Sequence, residues 1–123
     1  MSLWDKLSHW IAGEPAPPPA PAPREGPPPD ADELREALRM VVDPEIGIDI
    51  VSMGLVRGIS VEGDQARIDM TLSTPGCPVG PLIVGEVEEV VRMQGLWPTV
   101  ELGFDPPWSP ADIDPAARGR MTR

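Results

Sequence analysis

Apolar residues recur along this chain with two distinct periods. In "DADELREALRMVVD", Leu34, Ala37, Leu38 and Val41 share one helical stripe. Asp30 followed by Glu33 suits a capping box at the helix start, and Pro44 disfavours helical geometry at Asp43, where the helix is expected to stop. "DPEIGIDIVSMG" reads as a loop, with Gly47 and Gly54 as bend points. Two strands are predicted next. "LVRGISVE" places Leu55, Ile59 and Val61 on one face. "QARIDMTL" alternates, with Ala66, Ile68, Met70 and Leu72 inward and Arg67, Asp69 and Thr71 outward. Gly63-Asp64 between them predicts an antiparallel hairpin. A second helix follows in "VGPLIVGEVEEVVRMQG", with Val79, Leu82, Ile83, Val87, Val90 and Val91 as its buried face. Glu88 and Arg92 form an i,i+4 pair on its outside, and Gly95 is a natural stop. "WPTVELGF" is the third strand, with Val100, Leu102 and Phe104 on one face, and the tail reads as loop with a short helical turn.

The order α-β-β-α-β predicts a small α+β fold, a two-layer sandwich with its helices on one face of a three-stranded mixed sheet. A right-handed crossover through the second helix makes the third strand parallel to the second. The loops "DPEIGIDIVSMG", "STPGCP" and "DPPWSP" then meet at one end of the sheet, with Cys77 facing Asp43, Glu45, Asp105 and Trp108.

Three segments are expected: a short amphipathic stretch at 1–13, a proline-rich linker at 14–29 and the α+β domain at 30–123. Half of the 18 prolines fall between Pro15 and Pro29, so the linker should be extended and disconnected from the core. Leu3, Trp4, Leu7, Trp10 and Ile11 recur at near-helical spacing, which suits either a docking peptide or a frayed terminus. No run has the length of a transmembrane helix, and Asp5, Lys6, Ser8 and His9 interrupt any signal-peptide pattern. A cytoplasmic protein without a membrane role is the expectation.

Charge narrows the partners. From Asp30 onward the chain carries 17 acids against 8 arginines, a net of −9, which repels phosphate backbones and argues against nucleic-acid binding.

The only cysteine, Cys77, lies in "STPGCP" between the second strand and second helix. It reads as a packed core residue, a nucleophile or a metal ligand. If the helix begins at Pro78, Cys77 is its N-cap, and the free N–H groups and positive helix end favour the thiolate. Gly76 allows close backbone approach there. With no second cysteine and no histidine besides His9, a closed zinc site and a Cys–His nucleophile pair lack their parts.

"DPEIGIDIVSMGLV", "MTLSTPGCP" and "DPPWSP", in this order and spacing, resemble the SufT/PaaD-like iron–sulfur cluster assembly domains. The resemblance covers about Leu34 to Ile113. It implies a small α+β domain that takes part in assembling iron–sulfur clusters or delivering them to client proteins, without being an enzyme. By the match, Cys77 is the metal ligand, and Asp43, Pro44, Glu45, Thr74, Gly76, Asp105 and Trp108 shape the site. Many members carry aspartate–leucine where this chain has Ser52 and Met53. PaaD-like members, which serve aromatic-ring oxygenase systems, often have further C-terminal cysteines that this tail lacks. One thiolate cannot complete an iron–sulfur cluster, so a transient cluster or iron would need ligands from a second copy, a client or a small thiol. The implied partners are the iron–sulfur assembly machinery and client apoproteins, and a homodimer is one arrangement that supplies ligands. The alternative is a metal-free adaptor that recruits clients, an aromatic-ring oxygenase system among them.

Overall fold

The computed structural model describes residues 19–74 and 76–118. The first helix, α1 (Ala31–Ala37), is opened by the predicted capping box: Asp30 accepts from the Glu33 N–H at 2.8 Å, and Glu33 accepts from the Asp30 N–H at 3.2 Å. The helix ends earlier than Asp43. A 3-10 turn at Leu38–Met40 takes over, and Val41 is already extended. Two β-branched residues ahead of Asp43-Pro44 favour extended backbone. Val42–Asp43 forms β1, which pairs antiparallel with β2 (Ile48–Asp49) through Asp43↔Ile48. The expected loop therefore contains a small hairpin of its own.

The main sheet has the expected topology. β3 (Val56–Glu62) and β4 (Gln65–Met70) are antiparallel around the two-residue turn Gly63-Asp64, where Gly63 has φ +59°. A register shift between Val56 and Gly58 changes which side chains face inward. Leu55 and Val56 are both buried, while Ile59 and Val61 are only partly so. The second helix, α2 (Gly80–Met93), crosses over to β5 (Trp97–Leu102), which runs parallel to β4 with Ile68↔Val100 and Met70↔Leu102. The order is β3-β4-β5, so β4 is central. Ala66, Ile68 and Met70 of β4 pack in one core with Leu34, Leu38, Ile83, Val87, Val91 and Leu96. The opposite face carries Arg67 and Asp69, an exposed pair at 3.0 Å that contributes little to stability.

Four inward or outward assignments change. Leu82 is 57% exposed in the first turn of α2, because the core contacts of this helix begin with Gly80 and Ile83. Leu102 and Phe104 are exposed because β5 is an edge strand that ends at Leu102, leaving no strand beyond it to cover them. Thr71 lies past the end of β4 and is buried, its N–H donating to the Leu55 carbonyl at 2.8 Å. Arg92 pairs with Glu88 at 4.0 Å, as expected, and with Glu89 at 3.5 Å.

Part of the proline-rich stretch is anchored to the core, contrary to expectation. The Ala22 N–H donates to the Arg92 carbonyl at 2.8 Å, and Arg24 Nη1 donates to the Gly95 carbonyl at 2.7 Å. Helix C-termini leave carbonyls without intrahelical partners, and the non-proline residues of "PAPR" keep the donors to meet them. Gly95, at φ +82°, leaves the space into which the Arg24 side chain packs. Arg24→Ala is expected to cost about 1 kcal/mol and to speed amide exchange at Ala22. Unchanged exchange at Ala22 would show that this contact does not hold the linker. The amphipathic pattern at 1–13 lies outside the described residues. Among the described residues, no helix is long and apolar enough to cross a membrane.

Candidate functional site

Antiparallel β3–β4 and parallel β4–β5 pairing bring the start of β3 and the ends of β4 and β5 to one end of the sheet. Three loops lie at that end, where bonds tie the strand ends together and join the first loop to the third. Thr71 donates to the Leu55 carbonyl, Gly103 N–H donates to the Met70 carbonyl at 2.9 Å, and Trp108 Nε1 donates to the Met53 carbonyl at 2.7 Å.

Cys77 lies in the middle loop, but not as a helix cap. Val79 is the N-cap of α2 and Pro81 lies within its first turn, so Cys77 is two residues further upstream. Its carbonyl accepts from the Gly80 N–H at 3.0 Å, closing a turn in which Pro78 holds the second position. Proline's fixed φ favours that position of a tight turn, which delays the helix to Gly80. The Cys77 N–H donates to the Thr74 carbonyl at 3.2 Å. Cys77 is 6% exposed and belongs to the core cluster, so the expectation of a helix-capping thiol is corrected. Its neighbours Thr74, Gly76 and Pro78 are all exposed. The sulfur-bearing residue therefore lies one layer below the surface.

Asp43 is the other buried polar member, 1% exposed. Its Oδ1 accepts from the Glu45 N–H at 2.9 Å, and its backbone carbonyl accepts from Gly47 at 2.7 Å, forming the turn that "DPEIG" encodes. Oδ2 is buried with no hydrogen-bond partner. An unpartnered buried oxygen costs stability. Val41, two residues before Asp43, and Ile48, paired with it across the hairpin, share the buried cluster with Cys77. Pro44 and Glu45 are exposed beside it. Asp105 is exposed and lines a shallow concavity of about 350 Å³ with Arg57, Arg67 and Glu101. Trp108 is half-buried and packs on the core.

Ser52 and Met53 hold this end together, a role their sequence positions did not reveal. Met53 is fully buried. The Ser52 carbonyl accepts from the Asp114 N–H at 2.8 Å, and its Oγ accepts from Arg39 Nη1 at 2.9 Å. Arg39 also meets Glu36 at 2.8 Å and Asp49 at 3.6 Å, tying the turn after α1 to this loop. No sequence signal sets Met53 apart, since Ile46, Ile48, Ile50 and Val51 of the same loop are also apolar. Gly54, at φ +78°, packs against Asp112: a Cβ there would overlap the Asp112 carbonyl oxygen.

Among the described residues, no three His, Cys, Asp or Glu side chains converge to hold a metal ion. This donor set does not fit a resident metal centre.

Fold and site together define a small α+β domain with one buried cysteine in a loop at the end of its sheet. The chain belongs to the iron–sulfur cluster assembly protein family, whose model matches residues 31–101. It is similar to the Fe-S protein maturation auxiliary factor SufT of Staphylococcus aureus, 42% identical over 73 residues, covering 57% of this chain and 83% of the relative. The maturation auxiliary factor YitW of Bacillus subtilis is 40% identical over 81 residues, covering 63% and 79%. The crystal structure of a domain of unknown function from Bacillus anthracis superposes with a TM-score of 0.69 at 32% identity, covering 72% of this chain and 88% of that one.

Proposed function

We propose that this protein is an auxiliary factor in iron–sulfur protein maturation, passing iron or a cluster to client apoproteins with Cys77 as its one thiolate ligand. Membership of the family carries this reading, together with the names of its relatives as maturation factors. The cluster is cargo, held while a second copy, a client or a small thiol completes its coordination. No turnover site of its own is part of the reading, and a cytoplasmic setting is. The 73–78 loop must lift for the sulfur to reach iron. Gly76, at φ +74° with open space around it, and the exposed Thr74 and Pro78 suit such a movement. Asp43, with its unpartnered oxygen, and the rim of Pro44, Glu45, Asp105 and Trp108 shape the place where a client would arrive.

Burial of Cys77 favours a second reading, a metal-free adaptor in which the thiol is core packing and the domain only recruits clients. Cluster transfer separates the two. Anaerobically reconstituted protein is mixed with a client apoprotein, and the iron–sulfur absorbance of the client is followed. Cys77→Ser should slow transfer at least about tenfold, since losing a ligand costs no less than losing a group that supports one. Thermal melting run alongside distinguishes loss of the ligand from loss of the fold. Equal transfer by a folded serine variant leaves the adaptor reading standing.

A further inference from the structure

The sheet ends at β5, and the bonds flanking that strand decide which of its backbone groups are free. The Trp97 N–H donates to the Asp64 carbonyl at 2.7 Å, and the Gly103 N–H donates to the Met70 carbonyl at 2.9 Å. Along a strand, successive peptide groups alternate between the two neighbouring sides. Thr99 and Glu101 therefore turn their peptide groups toward β4 with Trp97, while Pro98, Val100 and Leu102 turn theirs to the open edge. Pro98 has no N–H to offer, and an outward position of an edge strand is where that loss costs nothing. The N–H and C=O of Val100 and of Leu102 remain, and among the described residues none of the four has a hydrogen-bond partner. Sheet edges left in this state accept further strands.

The side chains along the edge define what fits it. Leu102 lies in the core-side row beside Met70 and is 44% exposed. Val100, in the same row beside Ile68, is only partly buried. Glu101 points to the opposite face, next to Asp69, and is exposed. Asp69 is met by Arg67 at 3.0 Å. Arg57 and Arg67 line the same concavity as Glu101, yet among the described residues Glu101 forms no ion pair. An added strand with apolar, basic and apolar residues in succession would extend the core row over Val100 and Leu102. Its cation would stand opposite Glu101, at the short range where cross-strand pairs interact. That pattern is symmetric, so it fits in either strand direction.

A second copy of this chain fits less well. Antiparallel pairing of two β5 strands about Glu101 sets like charges opposite each other, and pairing about Val100 brings Pro98 into the ladder without a donor. The acidic surface also opposes self-association and favours a basic partner.

We propose that the open edge of β5, from Val100 to Leu102, is a strand-addition site for an extended segment of a partner protein with an apolar–basic–apolar pattern. The site rests on main-chain pairing and does not depend on Cys77 or on cluster transfer.

The test titrates the isotope-labelled full chain with the end-capped peptide TIKIT, with TIEIT as the comparison, and follows the backbone amides by NMR. The Val100 and Leu102 amides should shift and gain protection from hydrogen exchange. Those of Thr99 and Glu101, already turned to β4, should keep the protection they have. TIKIT should bind about fivefold more tightly than TIEIT, the size of effect that a cross-strand charge pair supplies. Glu101→Lys, a change at an exposed position, should reverse that order. If that variant does not fold, the two peptides on the unaltered chain decide. Four results would each overturn the proposal: Val100 and Leu102 amides protected before peptide is added, no shift in β5 at millimolar peptide, equal binding of the two peptides, or a dimer that closes the edge instead.

Discussion

Gly54→Ala is expected to destabilise the domain by about 3 kcal/mol, because two penalties add at one position. A residue with a Cβ pays about 1–2 kcal/mol in the left-handed region that Gly54 occupies. The added carbon also meets the Asp112 carbonyl oxygen, and it comes within 3.0 Å of both the carbonyl carbon and Cβ of Asp112. Two of these three atoms are backbone, so the clash is relieved only by moving the C-terminal segment, a form of overpacking worth about 1–3 kcal/mol. That segment is held by the bonds from Trp108 to Met53 and from Asp114 to Ser52, which lie on either side of the clash. The thermal midpoint should fall by about 10–20 °C. The Trp108 indole N–H should lose its protection from hydrogen exchange. A variant that melts where the parent does, with its indole N–H still protected, would show that the contact is not needed.

Ile68→Ala should cost about 3–4 kcal/mol. Ile68 is fully buried in the central strand, with Ile59 opposite on one side and Val100 on the other. Neighbours fixed by two ladders cannot close over the lost atoms, so a cavity remains. Leu82→Ala is the matched control: its side chain is more than half exposed, and its effect should stay within about 0.5 kcal/mol. Denaturant midpoints of the two variants provide the comparison. Equal losses would mean that burial does not govern stability at these sites.

Most of the sheet was legible because strict alternation in "QARIDM" has a single solution once one face is buried. The parallel third strand followed from the handedness of the crossover. What escaped reading depends on contacts distant in sequence. Leu102 and Phe104 have the pattern of inward residues, yet no strand lies beyond the edge strand β5 to cover them. The anchoring of Ala22 and Arg24 depends on carbonyls at the far end of α2. At the candidate site, the placement of the three loops at one end of the sheet followed from topology. The burial of Cys77 did not, because it turns on the helix starting at Gly80 in place of Pro78. Local motifs identify the turn; only packing decides which side chains it hides.

The connectivity of β4 also imposes an order on assembly. Its pairing with β3 closes across Gly63-Asp64, whereas its pairing with β5 must wait for the chain from Thr71 to Leu96 to fold back. Chain entropy alone makes the second closure about 2 kcal/mol more expensive than the first. A nascent hairpin therefore spends time with one edge of β4 unsatisfied, the condition in which strands recruit other chains. Arg67 and Asp69 alternate along that strand with Ala66, Ile68 and Met70. Charges interleaved with the most buried strand of the sheet discourage wrong pairing until α2 brings β5 home.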